Sequence, residues 1–164
     1  MGDTAVIFPG QGSQVVGMGQ DVAQAYPRAQ QVFERANDVL GFDIAKLCFA
    51  GPAEGLEKTD IQQPAIFVTS VAIWEAYLEA GGQREQFSRT GGLSLGEYTA
   101  LYVAGAVGFD EALNLVHRRG RLMQEASTAS ASGMVSLIGA DEASAEKLCA
   151  DVRAGDVLVP ANFN

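Results

Sequence analysis

Short unbroken apolar runs are interleaved along the chain with longer stretches in which apolar residues recur every three or four positions. That alternation predicts strands separated by helices. Thr4-Ala-Val-Ile-Phe8 is the first such run, ended by Pro9-Gly10, and reads as a buried strand of a parallel sheet. A glycine-rich loop, "GQGSQVVGMG", follows. Pro27 then opens a helix closed by Gly41, with Ala29, Val32, Phe33, Ala36, Val39 and Leu40 on one face. Asp43 to Ala50 predicts a short helix, and residues 51–64 a loop holding one helical turn. Ala65 to Ala80 predicts a strong helix stopped by Gly81-Gly82. Phe87 to Gly92 returns to the sheet, although Ser88, Arg89 and Thr90 interrupt its apolar pattern. Helices are expected from Leu95 to Ala104 and from Phe109 to Ala126, with Gly105 to Gly108 as the break between them.

The pattern changes after Ala126. Residues 127–132, within "STASASG", form a small-residue linker between a large α/β part (1–126) and a smaller one (133–164). In the smaller part Met134 to Gly139 reads as a strand, Asp141 to Arg153 as a helix and Val157 to Ala161 as a second strand. Two strands and one helix leave a bare sheet edge, so the end at Asn164 is expected to be a cut.

Composition narrows the function. The chain has 164 residues, 48% hydrophobic and 19% charged, with 19 Gly and 5 Pro, which suits a globular domain. A net charge of −9 argues against broad nucleic-acid binding, which needs a basic surface. Cys48 and Cys149 form no CxxC pair and read as reduced thiols, with no metal site expected. The N-terminus lacks the basic and apolar regions of a secretory signal, and its sixth residue, Val6, does not fit a myristoylation start. Pro64 to Trp74, the most apolar run, is too short to span a bilayer. A cytoplasmic location is expected, with no membrane partner.

Gly92-Leu-Ser94-Leu-Gly96 lies between a predicted strand and a predicted helix, the setting of a nucleophile elbow. Such a turn lifts the Ser94 hydroxyl above the sheet edge and points the Leu95 amide at developing negative charge. Alternatively Ser94 merely caps the helix. The loop Gly10-Gln11-Gly12 can present the Gln11 amide as a second donor, or it is a tight turn only. It is not a dinucleotide fingerprint, because Val15 stands where the third glycine belongs. "VHRRGRLMQ" gathers His117, Arg118, Arg119 and Arg121, either as a solvated face or as a carboxylate or phosphate site. Gly120 within it suggests close backbone packing, with the elbow helix as the expected neighbour. Arg118 and Arg119 lie about 100° apart around a helix, so they cannot both face one pocket.

Taken together, "FPGQGSQVVGMG", "GPAEGLEKTDIQQPAIF", "GLSLGEYTAL", "RRGRLMQEA" and "VPANFN" resemble the malonyl-CoA:acyl carrier protein transacylase family of fatty-acid synthesis, nearly end to end. The resemblance implies an α/β-hydrolase-like parallel sheet with helices, plus the start of a small ferredoxin-like α+β insertion. It implies a ping-pong transfer in which Ser94 carries malonyl from malonyl-CoA to the phosphopantetheine thiol of acyl carrier protein, with no cofactor. Gln11 and Leu95 would form the oxyanion hole through their backbones. Arg119 would pair with the malonyl carboxylate, and Gln63 would line the same pocket.

Two positions depart from that family's pattern. Leu93 stands where the elbow usually has histidine, and the family's base histidine lies downstream of this chain's end. The single histidine, His117, sits about 200° around the helix from Arg119 and is expected to face out. The chain is therefore expected to be an incomplete half, its remaining part either removed or supplied as a separate chain. A non-catalytic fragment that binds carrier protein or coenzyme A, and a serine esterase on a related fold, are the alternatives. Arg84, Arg89 and exposed members of the 118–121 cluster are candidates for docking an acidic carrier protein.

Overall fold

Among the described residues one sheet forms, from β1 (Ala5–Phe8) and β2 (Arg89–Gly92), which run parallel in a register from Ala5↔Arg89 to Phe8↔Gly92. The computed structural model describes residues 4–129, 131 and 133–163. The chain divides into two compact units between residues 130 and 131, inside the expected 127–132 linker. Ser130 and Ser132 of that linker, like the Met1-Gly2 start, lie outside the described residues.

In the first unit β1 leads through the glycine-rich loop into α1 (Gln20–Ala25), a short helix that the sequence pattern left inside the loop. α2 (Pro27–Leu40) has proline at its first position and ends at Gly41 in a left-handed conformation. Its Ala29, Phe33 and Ala36 are buried, as their spacing predicted. α3 (Ile44–Ala50) is capped by the Asp43 carboxylate, which accepts from the Lys46 amide at 2.8 Å. α4 (Ala53–Leu56) is one turn long.

The central element is α5 (Thr59–Glu79). It begins six residues before the expected start, because Gln62, Gln63 and Pro64 belong to the helix rather than to a loop. An interior proline removes one backbone donor and is normally costly. Here burial outweighs that cost: Gln62 to Ala72 are all buried, and α5 packs against α2 and, further along the chain, α7 (Phe109–Ala129). A helix apolar on every face needs such surroundings. Phe33, Leu113 and Val116 pack with its Phe67 in the main core, while Phe8, Trp74, Ala100 and Val103 form a second cluster. β2 runs into α6 (Gly96–Val103), within the expected bounds. α7 continues to Ala129, three residues past its expected end. An apolar cavity of about 570 Å³ lies against β1 and α5, lined by Ile7, Phe8, Ile66, Ile73 and Trp74 among others.

The second unit holds α8 (Glu142–Val152), capped by Asp141, whose carboxylate accepts from the Ser144 amide at 2.8 Å. The strands expected at 134–139 and 157–161 do not form. Their apolar residues are present, but Val135, Ile138 and Val157 are exposed, and no described residue pairs with either segment. A strand exists only where a neighbour takes its backbone hydrogen bonds.

Candidate active site

The elbow owes its shape to what cannot fit in it. A Cβ on Gly92 would stand 2.1 Å from the Gly96 carbonyl carbon, and one on Gly96 would stand 2.3 Å from the Phe8 carbonyl oxygen. Only glycine lets the turn close this tightly and lie against β1. Between them Ser94 has φ 52°, a left-handed conformation that is uncommon for a non-glycine residue and typical of strained functional turns. Its side chain is exposed above the sheet edge. The amides of Gly96, Glu97 and Tyr98 bond to the carbonyls of Leu93, Ser94 and Leu95, so the Leu95 amide precedes this bonded series at the head of α6. The Leu95 side chain is fully buried and anchors the turn from below.

The loop after β1 lies alongside. A Cβ on Gly10 would be 2.7 Å from the Leu93 carbonyl oxygen, so the loop touches the elbow's backbone. Leu93 also donates its amide to Phe8 at 3.3 Å. Within the loop the Ser13 hydroxyl donates to the Gly10 carbonyl at 2.9 Å, and Gln11 is exposed at the turn.

Arg119 comes from α7. Its Nη2 donates to Ser94 Oγ at 2.7 Å, and its Nη1 donates to Gln63 Oε1 at 2.6 Å. Ser94, Arg119 and Gln63 are thus brought together from three elements far apart in the chain. Gln63 is fully buried on α5, and its Nε2 donates in turn to Met123 Sδ at 3.2 Å. Met123 lies one turn beyond Arg119 on α7. The Arg119 guanidinium carbon stands 5.8 Å from the ring centroid of Tyr98 on α6. Tyr98, Leu115, Arg118, Arg119, Leu122 and Met123 line a cleft of about 420 Å³. Tyr98 and Met123 were not singled out from sequence. Met123 stands four residues after Arg119 and shares its face of α7, a spacing that could have found it, whereas Ser94 precedes α6 and no such spacing marks Tyr98.

The close approach at Gly120 has a different partner from the expected one. A Cβ there would lie 2.7 Å from the Thr59 carbonyl oxygen and 3.0 Å from the Asp60 Cα. At Gly120, α7 therefore packs against the first turn of α5 rather than against the elbow helix. That contact carries Arg119 to Gln63.

His117 does not face solvent as expected. It is half-buried, and its ring meets Phe42 edge-on at 5.8 Å between centroids. Arg119 is cationic and has no lone pair to accept the Ser94 proton. Arg118 is exposed at the cleft, Arg121 pairs with Glu125 at 3.6 Å, and Arg84 lies over the Trp74 ring at 6.0 Å. Among the described residues no group of His, Cys, Asp or Glu side chains could hold a metal ion, and no helix is long and apolar enough to cross a membrane. The clearest displaced titrations lie away from the serine. Burial pushes the Cys48 thiol up to about 12, opposed by the Thr69 hydroxyl. Burial and then the charge of Glu75, which accepts the Tyr102 hydroxyl at 2.9 Å, raise the Tyr102 phenol.

Comparison with known proteins places this geometry. The family model described as "Acyl transferase domain" matches residues 5–161. A malonyl CoA-acyl carrier protein transacylase of Salmonella typhimurium is 44% identical over 160 residues, covering 98% of this chain and 51% of its own length. The Bacillus subtilis (strain 168) protein of that name is 38% identical over 165 residues, covering 100% and 51%. The chain thus spans about half the length of the curated relatives it matches. Among solved structures, a malonyl-transacylase in complex with a type II polyketide acyl-carrier protein superposes with a TM-score of 0.86 at 43% identity, covering 99% of this chain and 52% of that one. An acyl carrier protein S-malonyltransferase of Vibrio cholerae gives 0.82 at 42% identity, covering 98% and 52%. With a match from β1 to beyond α8, and a glycine-flanked serine on a strand–turn–helix at its centre, the chain belongs to the acyl transferase domain family.

Proposed function

We propose that this chain carries the acyl-accepting serine of a malonyl-CoA:acyl carrier protein transacylase. The observation that carries the reading is Arg119 held between Ser94 Oγ and Gln63 Oε1. A guanidinium beside a nucleophile is of no use to a simple esterase. It suits an acyl group whose far end is a carboxylate, which arginine takes through two parallel hydrogen bonds. An acetyl group would leave the cation without that partner, so malonyl is favoured.

In the proposed reaction Ser94 Oγ attacks the thioester carbonyl of malonyl-CoA and gives up its proton to a base. The oxyanion is held by the backbone amides of Gln11 and Leu95. The C–S bond breaks, coenzyme A leaves as its thiol, and malonyl remains as a serine ester. The phosphopantetheine thiol of acyl carrier protein then attacks that ester, the C–O bond breaks, and Ser94 regains a proton. The thioester supplies the activation, so no cofactor is needed. His117, held against Phe42, is not the base. The chain alone therefore acylates slowly. That feature also favours the second reading, a fragment that binds coenzyme A or carrier protein without turnover.

The finer fold assignment belongs to the same reading. The first unit is the beginning of an α/β-hydrolase-like domain, and residues 133–164 begin a ferredoxin-like subdomain. The protein works in the cytoplasm. Arg118 is the best-placed of the expected carrier-docking arginines, because it is exposed at the cleft itself.

The test is intact mass after incubation with malonyl-CoA, with and without imidazole as a soluble base. A malonyl adduct that imidazole accelerates is expected on the wild type and not on Ser94→Ala. Under the same conditions Arg119→Ala should lose malonyl loading far more than acetyl loading from acetyl-CoA. No adduct on the wild type in imidazole would leave the binding reading.

A further inference from the structure

We infer that Tyr98 is the positioning residue that sets the plane of the Arg119 guanidinium. The inference rests on reading Arg119 as the carboxylate clamp, and concerns what makes the clamp directional. A guanidinium donates hydrogen bonds only along its edges; its two faces cannot donate. Nη1 and Nη2 are directed to Gln63 Oε1 and Ser94 Oγ, which fixes where those edges point. These contacts do not fix the tilt of the plane at the end of a long flexible side chain. The guanidinium carbon lies over the Tyr98 ring, 5.8 Å from its centroid and within cation–π reach, and the ring is the further contact that sets the tilt. Stacking on an aromatic face and two-pronged hydrogen bonding are compatible because they use perpendicular directions of the same group.

The ring is itself well held. Tyr98 sits in the first turn of α6, its amide bonded to the Leu95 carbonyl at 3.1 Å, and its side chain packs against the main core cluster while lining the cleft. The element that presents Ser94 therefore also aligns Arg119. A carboxylate entering the cleft meets a guanidinium whose plane is already set. The alignment needs the ring face and not the hydroxyl, so phenylalanine should replace tyrosine without loss.

The test reads Arg119 directly. Phenylglyoxal modification is followed by peptide mass at Arg119, with the exposed Arg118 as an internal reference in the same molecule. Circular dichroism checks that each variant is folded. In Tyr98→Phe the ratio of the two rates should match wild type. In Tyr98→Leu and Tyr98→Met, which fill the space without a ring, Arg119 should react about 3–10-fold faster relative to Arg118, the range expected for losing one cation–π contact. Free malonate should protect Arg119 in the wild type and Tyr98→Phe, and should need a correspondingly higher concentration in the ringless variants. A wild-type ratio in either folded ringless variant, or a Tyr98→Phe variant that behaves like Tyr98→Leu, would overturn the inference. The transacylase reading fails on a different result, the absence of a malonyl adduct on Ser94, which leaves the modification ratio readable.

Discussion

Cys48 and Cys149 have the same chemistry in different settings, and the difference is measurable. Cys48 is fully buried on α3, and its thiol is pushed up to about 12, so little thiolate forms near neutrality. Cys149 on α8 is only half-buried. A thiol reagent at about pH 8 should label Cys149 well before Cys48, as peptide mapping would show; equal rates would contradict the burial. The same shift predicts a pH dependence. The folded-state value lies above the reference of 9.0, so the native state holds a proton that the unfolded state releases. Its contribution to stability is intact below 9.0 and falls as pH rises from there toward about 12, by at most about 1.4 kcal/mol per pH unit. The raised Tyr102 phenol adds to the same decline, so the discriminating measurement is the difference between wild type and Cys48→Ala. Urea unfolding at about pH 8 and about pH 10 should show a smaller loss in the variant. At this scale the chemistry of the site was legible where a residue is unusual for its place: a serine between glycines, and an arginine beside a helical glycine. Tyr98 was not legible, because an aromatic on a helix reads as core until the neighbouring helix is known, and Met123 only through its spacing from Arg119.

Between elements, the contact that positions the clamp is Gly120 of α7 against the first turn of α5. Helix propensity alone says that Gly120→Ala should stabilise α7 by about 1 kcal/mol. The added Cβ, however, would lie 2.7 Å from the Thr59 carbonyl oxygen, a backbone atom that cannot swing aside as a side chain can. Forcing extra volume into such a contact costs on the order of 1–3 kcal/mol, so the clash should win and Gly120→Ala should be less stable than wild type. Arg119 is the adjacent residue, so the same shift should weaken its bond to Gln63 and speed its modification by phenylglyoxal. Chemical denaturation reads the first effect and peptide mass the second; a stabilised variant would mean that α7 moves away freely. Periodicity marks the helices nearly to their ends, as α2 and α6 show. It starts α5 too late, because Pro64 and two glutamines look like a loop locally. What overrides them is burial among α2 and α7, which no local pattern contains. At residues 134–139 and 157–161 the error ran the other way, since apolar runs were present without any partner to make them strands.

For the molecule as a whole, the distribution of buried apolar residues decides what depends on what. Every member of both core clusters lies in the first unit, none beyond Val116. α8 has no buried residue, and Val135, Ile138 and Val157 stand 84%, 99% and 93% exposed. Hydrophobic burial is the main favourable term in folding, and residues 8–116 supply every buried member of both clusters, so the first unit carries its own core. Truncation after Ala129 should therefore leave the cooperative unfolding of the first unit almost unchanged, with a midpoint within about 3 °C of the full chain's. Circular dichroism on heating would measure it, and a large drop would mean that residues 131–163 support the first core. The malonyl adduct on Ser94 gives an independent reading of the same variant. Ser94, Gln63 and Arg119 all lie within residues 4–129, and each is placed by an element of that unit, so the truncated chain should load malonyl in imidazole as the full chain does.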